Sequence, residues 1–265
     1  ALHDEDLLCV VPFGDPHFGM FSWAQETGED FDLKIAEQDI VDAVDHLVAL
    51  APPAGRGLIV SLGDLVHADS PRGETTKGTR VDVDTRQSKV IGVVIRAMRR
   101  CIDRGLEKFG HVTFVPVCGN HDEYTSLILG HCLSAYYERE PRVTIDTTPD
   151  PFKWYRFGQN LIGMSHGDKV KKEQLPGIMA CDRKVDWSET EHRFFYTGHI
   201  HHESVKEYPG VVVESFRTLA PKDFWHHAQG YRSGRDMRLD VLHREDGRIN
   251  RHIVGIRQIR QGRKT

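Results

Sequence analysis

Residues 111–123 read His-Val-Thr-Phe-Val-Pro-Val-Cys-Gly-Asn-His-Asp-Glu. The apolar run 112–117 is short and rich in β-branched residues, which predicts a buried strand rather than a helix. It runs into Gly119-Asn120-His121-Asp122, where a glycine that permits a sharp turn is followed by three side chains able to bind metal or move protons. In parallel α/β sheets, ligands bind in the crevice beyond the carboxyl ends of the strands. This stretch therefore predicts an α/β fold and says where its chemistry lies.

The same pattern recurs on either side. Run 7–13 leads into Gly14-Asp15-Pro16-His17, and run 58–62 into Gly63-Asp64. Between them, Ile40, Val41, Val44, Leu47 and Val48 form the apolar stripe of an amphipathic helix over 34–50. Residues 68–82, rich in Gly, Thr, Ser and Pro, read as a loop. A long helix follows, with Val90, Ile91, Val94, Ile95, Met98, Cys101 and Ile102 on one stripe. The first half is thus βαβαβ, the pattern of a parallel sheet.

After a helix near 125–137 the pattern shifts to short runs at 153–157, 160–164, 193–197, 204–208, 211–215, 238–243 and 249–254. Residues 245–248, Glu-Asp-Gly-Arg, read as a hairpin turn between the last two. Two more strand ends carry chemistry: His166-Gly167-Asp168 follows 160–164, and Gly198-His199-Ile200-His201 follows 193–197. No internal repeat or linker divides the chain, so a single domain over 1–265 is expected.

Composition bounds the reading. The chain has 265 residues, 39% hydrophobic and 28% charged, which excludes disordered and coiled-coil classes. No apolar run approaches the ~20 residues of a bilayer span. The five cysteines never form a CxxC pair, which argues against thiolate zinc or a disulfide framework and for a reducing, cytoplasmic compartment. No positively charged, apolar leader is read at the start. The net charge of −4 hides a gradient: residues 1–50 hold twelve acidic residues against one basic, and 231–265 hold ten basic against four acidic. A basic tail of this kind can reach a polyanion.

Asp, Asn and His without thiolate suit Mn²⁺, Fe or Zn²⁺ in open sites. Seven such donors fill two sites if one carboxylate bridges them. At this point the sequence resembles the calcineurin-like metallophosphoesterase superfamily. Asp15-x-His17, Gly63-Asp64, Gly119-Asn120-His121-Asp122, His166 and Gly198-His199-x-His201 occur in that order and are complete over about residues 8–202. The resemblance implies two facing mixed β-sheets flanked by helices, a four-layer αββα fold. It implies Asp15, His17 and His201 on one metal, Asn120, His166 and His199 on the other, and Asp64 bridging. The two divalent ions, Mn²⁺ first, would draw in the phosphate and activate a water for in-line attack. His121, the motif residue not used as a ligand, is assigned as general acid. Asp122 is expected at the catalytic centre as an acid bracing a neighbouring ligand.

The Gly63-Asp64-Leu65-Val66-His67 turn lacks the carboxylate and arginine of the protein Ser/Thr phosphatase branch. It is similar to the nuclease subunit of the double-strand-break repair complex, which makes His67 a candidate second active-site histidine. The 64 residues after His201 are too few for that family's DNA-capping domain. Within this segment Arg217, Lys222 and Arg232 are candidates to neutralise phosphates, and Trp225 and Tyr231 to stack on bases. The expectation is a Mn²⁺-dependent nuclease with nucleic acid, DNA ahead of RNA, as partner and no membrane. A nucleotide or cyclic-nucleotide phosphodiesterase or pyrophosphatase, and a non-catalytic metal-binding scaffold, are the alternatives. The oligomeric state stays open.

Overall fold

The structure, a computed structural model, describes residues 2–230 and 232–264. In chain order the elements are β1 (Asp4–Phe13), α1 (Ala24–Thr27), α2 (Leu33–Leu50), β2 (Ala54–Ser61), α3 (Gln87–Leu106), β3 (His111–Pro116), α4 (Glu123–Tyr136) and β4 (Val143–Ile145). They continue with β5 (Lys153–Phe157), β6 (Asn160–Ser165), α5 (Leu175–Asp182), α6 (Lys184–Ser188), β7 (His192–Thr197), β8 (Ser204–Tyr208) and β9 (Val211–Ser215). The last are α7 (Phe224–Ala228), β10 (Asp236–His243), β11 (Gly247–Gly255) and α8 (Ile256–Gln261). The three-residue strand β4 and the short helices α5 and α6 carry too little periodicity to be read from sequence.

Two mixed sheets form, with strand orders β11-β10-β1-β2-β3-β4 and β5-β6-β7-β9-β8. β1, β2 and β3 run parallel, as do β6, β7 and β9. Strand alternation sorts the core into layers. Cys9, Val11 and Phe13 of β1 pack with Val44, Leu47, Val94 and Met98 of α2 and α3, while Leu8 and Val10 face Ile162, Met164 and Tyr196 of the second sheet. On the far side, Leu161, Phe195 and Val213 cover Leu175 and Met179 of α5. The order is therefore helix, sheet, sheet, helix, as the resemblance implied.

Local chemistry fixes the ends. Asp32 caps α2 by accepting the Ile35 N–H at 2.7 Å. Asp69, from the irregular 68–82 segment, accepts the Tyr124 and Thr125 N–H groups at the start of α4. The charge gradient closes on itself. Arg260 and Arg263 ion-pair with Asp39, and Arg263 also with Asp42, both on α2. Those two arginines are thus tied to the acidic N-terminal half.

A buried ion network crosses from one sheet to the other. Glu214 and Asp240, both fully buried, meet Arg248 and Arg251, and Arg238 reaches Glu214 and Glu203. The Tyr196 hydroxyl donates to Asp240 at 2.8 Å. Among the described residues no helix is long and apolar enough to cross a membrane.

Candidate metal centre

The parallel pairing of β1, β2 and β3 brings the turns after them to one edge, and the pairing of β6 with β7 does the same in the second sheet. The motif glycines let these turns close. A Cβ on Gly119 would stand 2.1 Å from Asp64 Oδ1, one on Gly63 2.4 Å from His166 Nδ1, and one on Gly198 2.7 Å from Asp15 Oδ2. The last two contacts join one sheet to the other, so the two rims share one centre.

Backbone conformation singles out the same residues. Asp15, His17, Asp64, His199 and His201 have φ of 46°, 49°, 51°, 68° and 54°, and they are the non-glycine residues with positive φ among those described. Each such conformation costs on the order of 1–3 kcal/mol and persists where surrounding contacts enforce it. Two side chains show how the turns are held. Asp15 accepts the His199 N–H through both oxygens, at 3.0 and 2.9 Å, and Asp64 Oδ1 accepts the His121 N–H at 2.8 Å.

Three groups of ligand atoms converge, each within 4.8 Å: Asp15, His17 and His201; Asp64, His166 and His199; and His17, His67 and His121. In the first, His17 Nε2 lies 3.2 Å from His201 Nε2, which is 3.5 Å from Asp15 Oδ1. In the second, His166 Nε2 lies 3.2 Å from Asp64 Oδ2 and 3.0 Å from Asn120 Oδ1. The Leu62 carbonyl accepts from His166 Nδ1 at 2.8 Å, the backbone partner that metal-ligating histidines commonly have.

The electrostatics fit cations at both points. Burial acts to raise the Asp64 carboxyl, yet the charges and hydrogen bonds of His166 and His121 hold it well below the usual carboxylate range. Burial acts to lower His166, and Asp64, Asp15 and the Leu62 carbonyl outweigh it, pushing the imidazole up to about 10. For His201 too, burial is outweighed by Asp15 and Asp64, and the imidazole is raised. Lone pairs crowded this closely favour a positive charge among them, and the oxygen and imidazole donor set suits a divalent ion.

The remaining motif residues stand beside these groups. His121 Nδ1 donates to the His67 carbonyl at 2.7 Å, which leaves Nε2 as its second proton site. The His67 and His121 rings stack with centroids 5.1 Å apart, and His67 Nδ1 shares a proton with His17 Nδ1 across 3.1 Å. Asp122 is fully buried and turned away from the rim. Its carboxylate accepts the N–H groups of Asp64, Gly119 and Val66 and the Ser126 hydroxyl. Burial and the neighbouring Asp64 charge push its carboxyl up to about 6. Ser126 and the Leu62 carbonyl carried no sequence signal, because both act through contacts distant in the chain.

The candidate substrate residues separate. Arg217 is held by Asp236 at 2.5 Å and Glu203 at 3.1 Å. Lys222 and Arg232 line a cavity that includes His201. Tyr231 and the Trp225 side chain lie outside the described residues. Glu29 and Arg235, which sequence reasoning passed over, line the same cavity.

No protein-family model and no curated protein matches the chain. Among solved structures it is similar to a predicted phosphoesterase from Streptococcus pneumoniae, with 11% identity, 94% of this chain and 98% of that one covered, and a TM-score of 0.37. It is also similar to Vps29 from Entamoeba histolytica complexed with Zn²⁺, with 14% identity, coverage of 94% and 99%, and a TM-score of 0.36. Vacuolar Protein Sorting 29 from Cryptosporidium parvum gives 14% identity, coverage of 94% and 98%, and a TM-score of 0.41. At these values the functional reading rests on the chain's own centre: five strained, non-glycine Asp and His residues gathered at the joined rims of two mixed sheets.

Proposed function

We propose that the chain is a two-metal phosphodiesterase acting on nucleic acid, DNA ahead of RNA, with Mn²⁺ as the working ion. The observation that carries this reading is the placement of positive φ at Asp15, His17, Asp64, His199 and His201 alone among the described non-glycine residues. Strain gathered on five candidate ligands is strain maintained for a site. Asp15, His17 and His201 would hold one ion, Asn120, His166 and His199 the other, and Asp64 both. When bound, the ions would supply positive charge to the phosphate oxygens and lower the pKa of a bound water.

The chain's own residues supply the rest. His166 is fixed by Leu62 with Nε2 toward Asp64 and Asn120. Asp122 sets the Asp64 turn by holding the Asp64 and Val66 N–H groups. His121, its Nδ1 occupied by the His67 carbonyl, carries from Nε2 the proton that the leaving alkoxide takes up. His67 orients the His121 ring through its carbonyl and the His17 ring through the Nδ1–Nδ1 hydrogen bond.

The test is cleavage of single- and double-stranded DNA, RNA, bis-p-nitrophenyl phosphate and a nucleotide panel across Mn²⁺, Fe²⁺ and Zn²⁺, with Asp64→Ala as control. Mn²⁺-dependent cleavage of DNA that Asp64→Ala abolishes is expected. Turnover confined to nucleotides would favour a small-molecule phosphodiesterase, and tight metal binding without turnover would leave a scaffold.

A further inference from the structure

Asp122 stands at the N-terminus of α4, where an aspartate ordinarily accepts N–H groups of the helix's first turn. It does not do so here, because its carboxylate is turned to the Asp64, Val66 and Gly119 N–H groups. The first turn of α4 is served from another segment. Asp69 Oδ1 accepts the Thr125 N–H at 2.8 Å and the Thr125 hydroxyl at 2.7 Å, and Oδ2 accepts the Tyr124 N–H at 3.1 Å. The Thr76 hydroxyl donates to Asp69 Oδ2 at 2.7 Å and accepts the Glu123 N–H at 3.1 Å. Three consecutive N–H groups that a helix leaves without partners are thus taken by Asp69 and Thr76.

The same contacts bracket His67. Before it, the Val66 N–H is held by Asp122 Oδ2 at 3.1 Å. After it, the Ala68 carbonyl accepts from Gln87 Nε2 at 2.7 Å, and Asp69 is bound to α4. Between these anchors the His67 carbonyl accepts from His121 Nδ1 at 2.7 Å. The two ends of that bond lie 54 positions apart in the chain, so its length is set by what ties the two segments together. Beside the contact of Asp64 with the His121 N–H, two carboxylates do this, Asp122 reaching from α4 and Asp69 reaching to it. The partner of one imidazole nitrogen decides which nitrogen carries the proton of the neutral ring. With Nδ1–H held by the His67 carbonyl, Nε2 is left to exchange a proton with the leaving oxygen.

We propose that Asp69 is a positioning residue for His121. By clasping the segment after His67 to the first turn of α4, it keeps the His67 carbonyl on His121 Nδ1 and so keeps Nε2 presented as the proton donor. The proposal rests on the phosphodiesterase reading, in which His121 protonates the leaving oxygen, and it names the residue that holds this donor in its working tautomer.

Two measurements test it. The first compares leaving groups in Asp69→Ala, checked for folding by circular dichroism and for metal content by elemental analysis. With the dinucleotide dTpdT, whose leaving oxygen is an alkoxide, kcat is expected to fall by about 10–100-fold, as a small misplacement of a catalytic group costs. With bis-p-nitrophenyl phosphate, whose p-nitrophenolate departs as a stable anion and needs little protonation, kcat should change by less than about threefold. Metal content should match the wild type. A parallel fall on both substrates, or no fall on either, overturns the proposal. Asp69→Asn, which keeps one acceptor oxygen, serves if the alanine variant does not fold, with the same split at smaller size expected.

The second measurement needs no turnover. Nitrogen-15 spectra of histidine-labelled protein in the presence of Zn²⁺ should show a His121 Nδ1–H signal, identified by its loss in His121→Asn. In Asp69→Ala that signal should vanish or give way to mixed tautomers. An unchanged signal in the folded variant overturns the proposal. Absence of diester hydrolysis by the wild-type protein overturns the phosphodiesterase reading instead, while the spectra still judge Asp69.

Discussion

Asp122 accepts four donors from inside the protein: three backbone N–H groups and the Ser126 hydroxyl. Removing the carboxylate leaves these buried donors unpaired at about 1–3 kcal/mol each, so Asp122→Ala should destabilise the fold by ~3 kcal/mol or more. Because two of the donors set the Asp64 turn, Mn²⁺ affinity should also fall by about 10–100-fold. Thermal unfolding and metal titration measure the two effects, and a variant with native values in both would contradict this role. His121 separates chemistry from binding. Its backbone N–H holds Asp64 and its ring is held by the His67 carbonyl; His121→Asn retains the backbone N–H and an amide donor in the place of Nδ1 but loses Nε2. That variant should keep its metal content by elemental analysis while kcat falls by about 10²–10⁴.

At the scale of elements, the turns after β2 and β3 depend on glycine because the His166 ring, at Gly63, and the Asp64 carboxylate and nitrogen, at Gly119, occupy the space of a side chain. In Gly119→Ala the new Cβ would stand 2.1 Å from Asp64 Oδ1 and 2.2 Å from the Asp64 nitrogen. Metal binding should be lost in this variant, as read by calorimetry. Gly92, exposed on α3, has nothing within 4 Å of a Cβ. Gly92→Ala should therefore raise stability by about 0.5–1 kcal/mol in a denaturant melt. The elements themselves were largely legible. β1, α2, β2, α3 and β3 follow from apolar runs and stripes because each buries a continuous face. β4 and α6 were not, since a three-residue edge strand and a five-residue helix hold too few residues to show a period.

At the scale of the molecule, charge links distant parts of the chain. Glu214 meets Arg238, Arg248 and Arg251 between the two sheets. Glu214→Ala leaves three guanidinium groups without this partner and should cost about 3–5 kcal/mol, read as a lowered denaturation midpoint. Metal acts at the same scale through linkage: with Mn²⁺ at about a thousand times its Kd, chelation should remove ~4 kcal/mol of stability. A chelator-independent Tm by scanning calorimetry would argue against a folded-state metal site.

The sequence by itself determined the kinds of candidate ligand and their strand ends, because an apolar run, a glycine and a polar residue are neighbours along the chain. His17, Asp64, Asn120, His166, His199 and His201 were legible in that way. Tertiary structure alone decided which of the other charged groups face the centre. Arg217 pairs with Asp236, Arg260 with Asp39 across 221 positions, and Asp122 turns inward to the Asp64 loop across 58. A charge in sequence carries no record of its partner; burial selects that partner, since a buried ion that stays unpaired is too costly to keep.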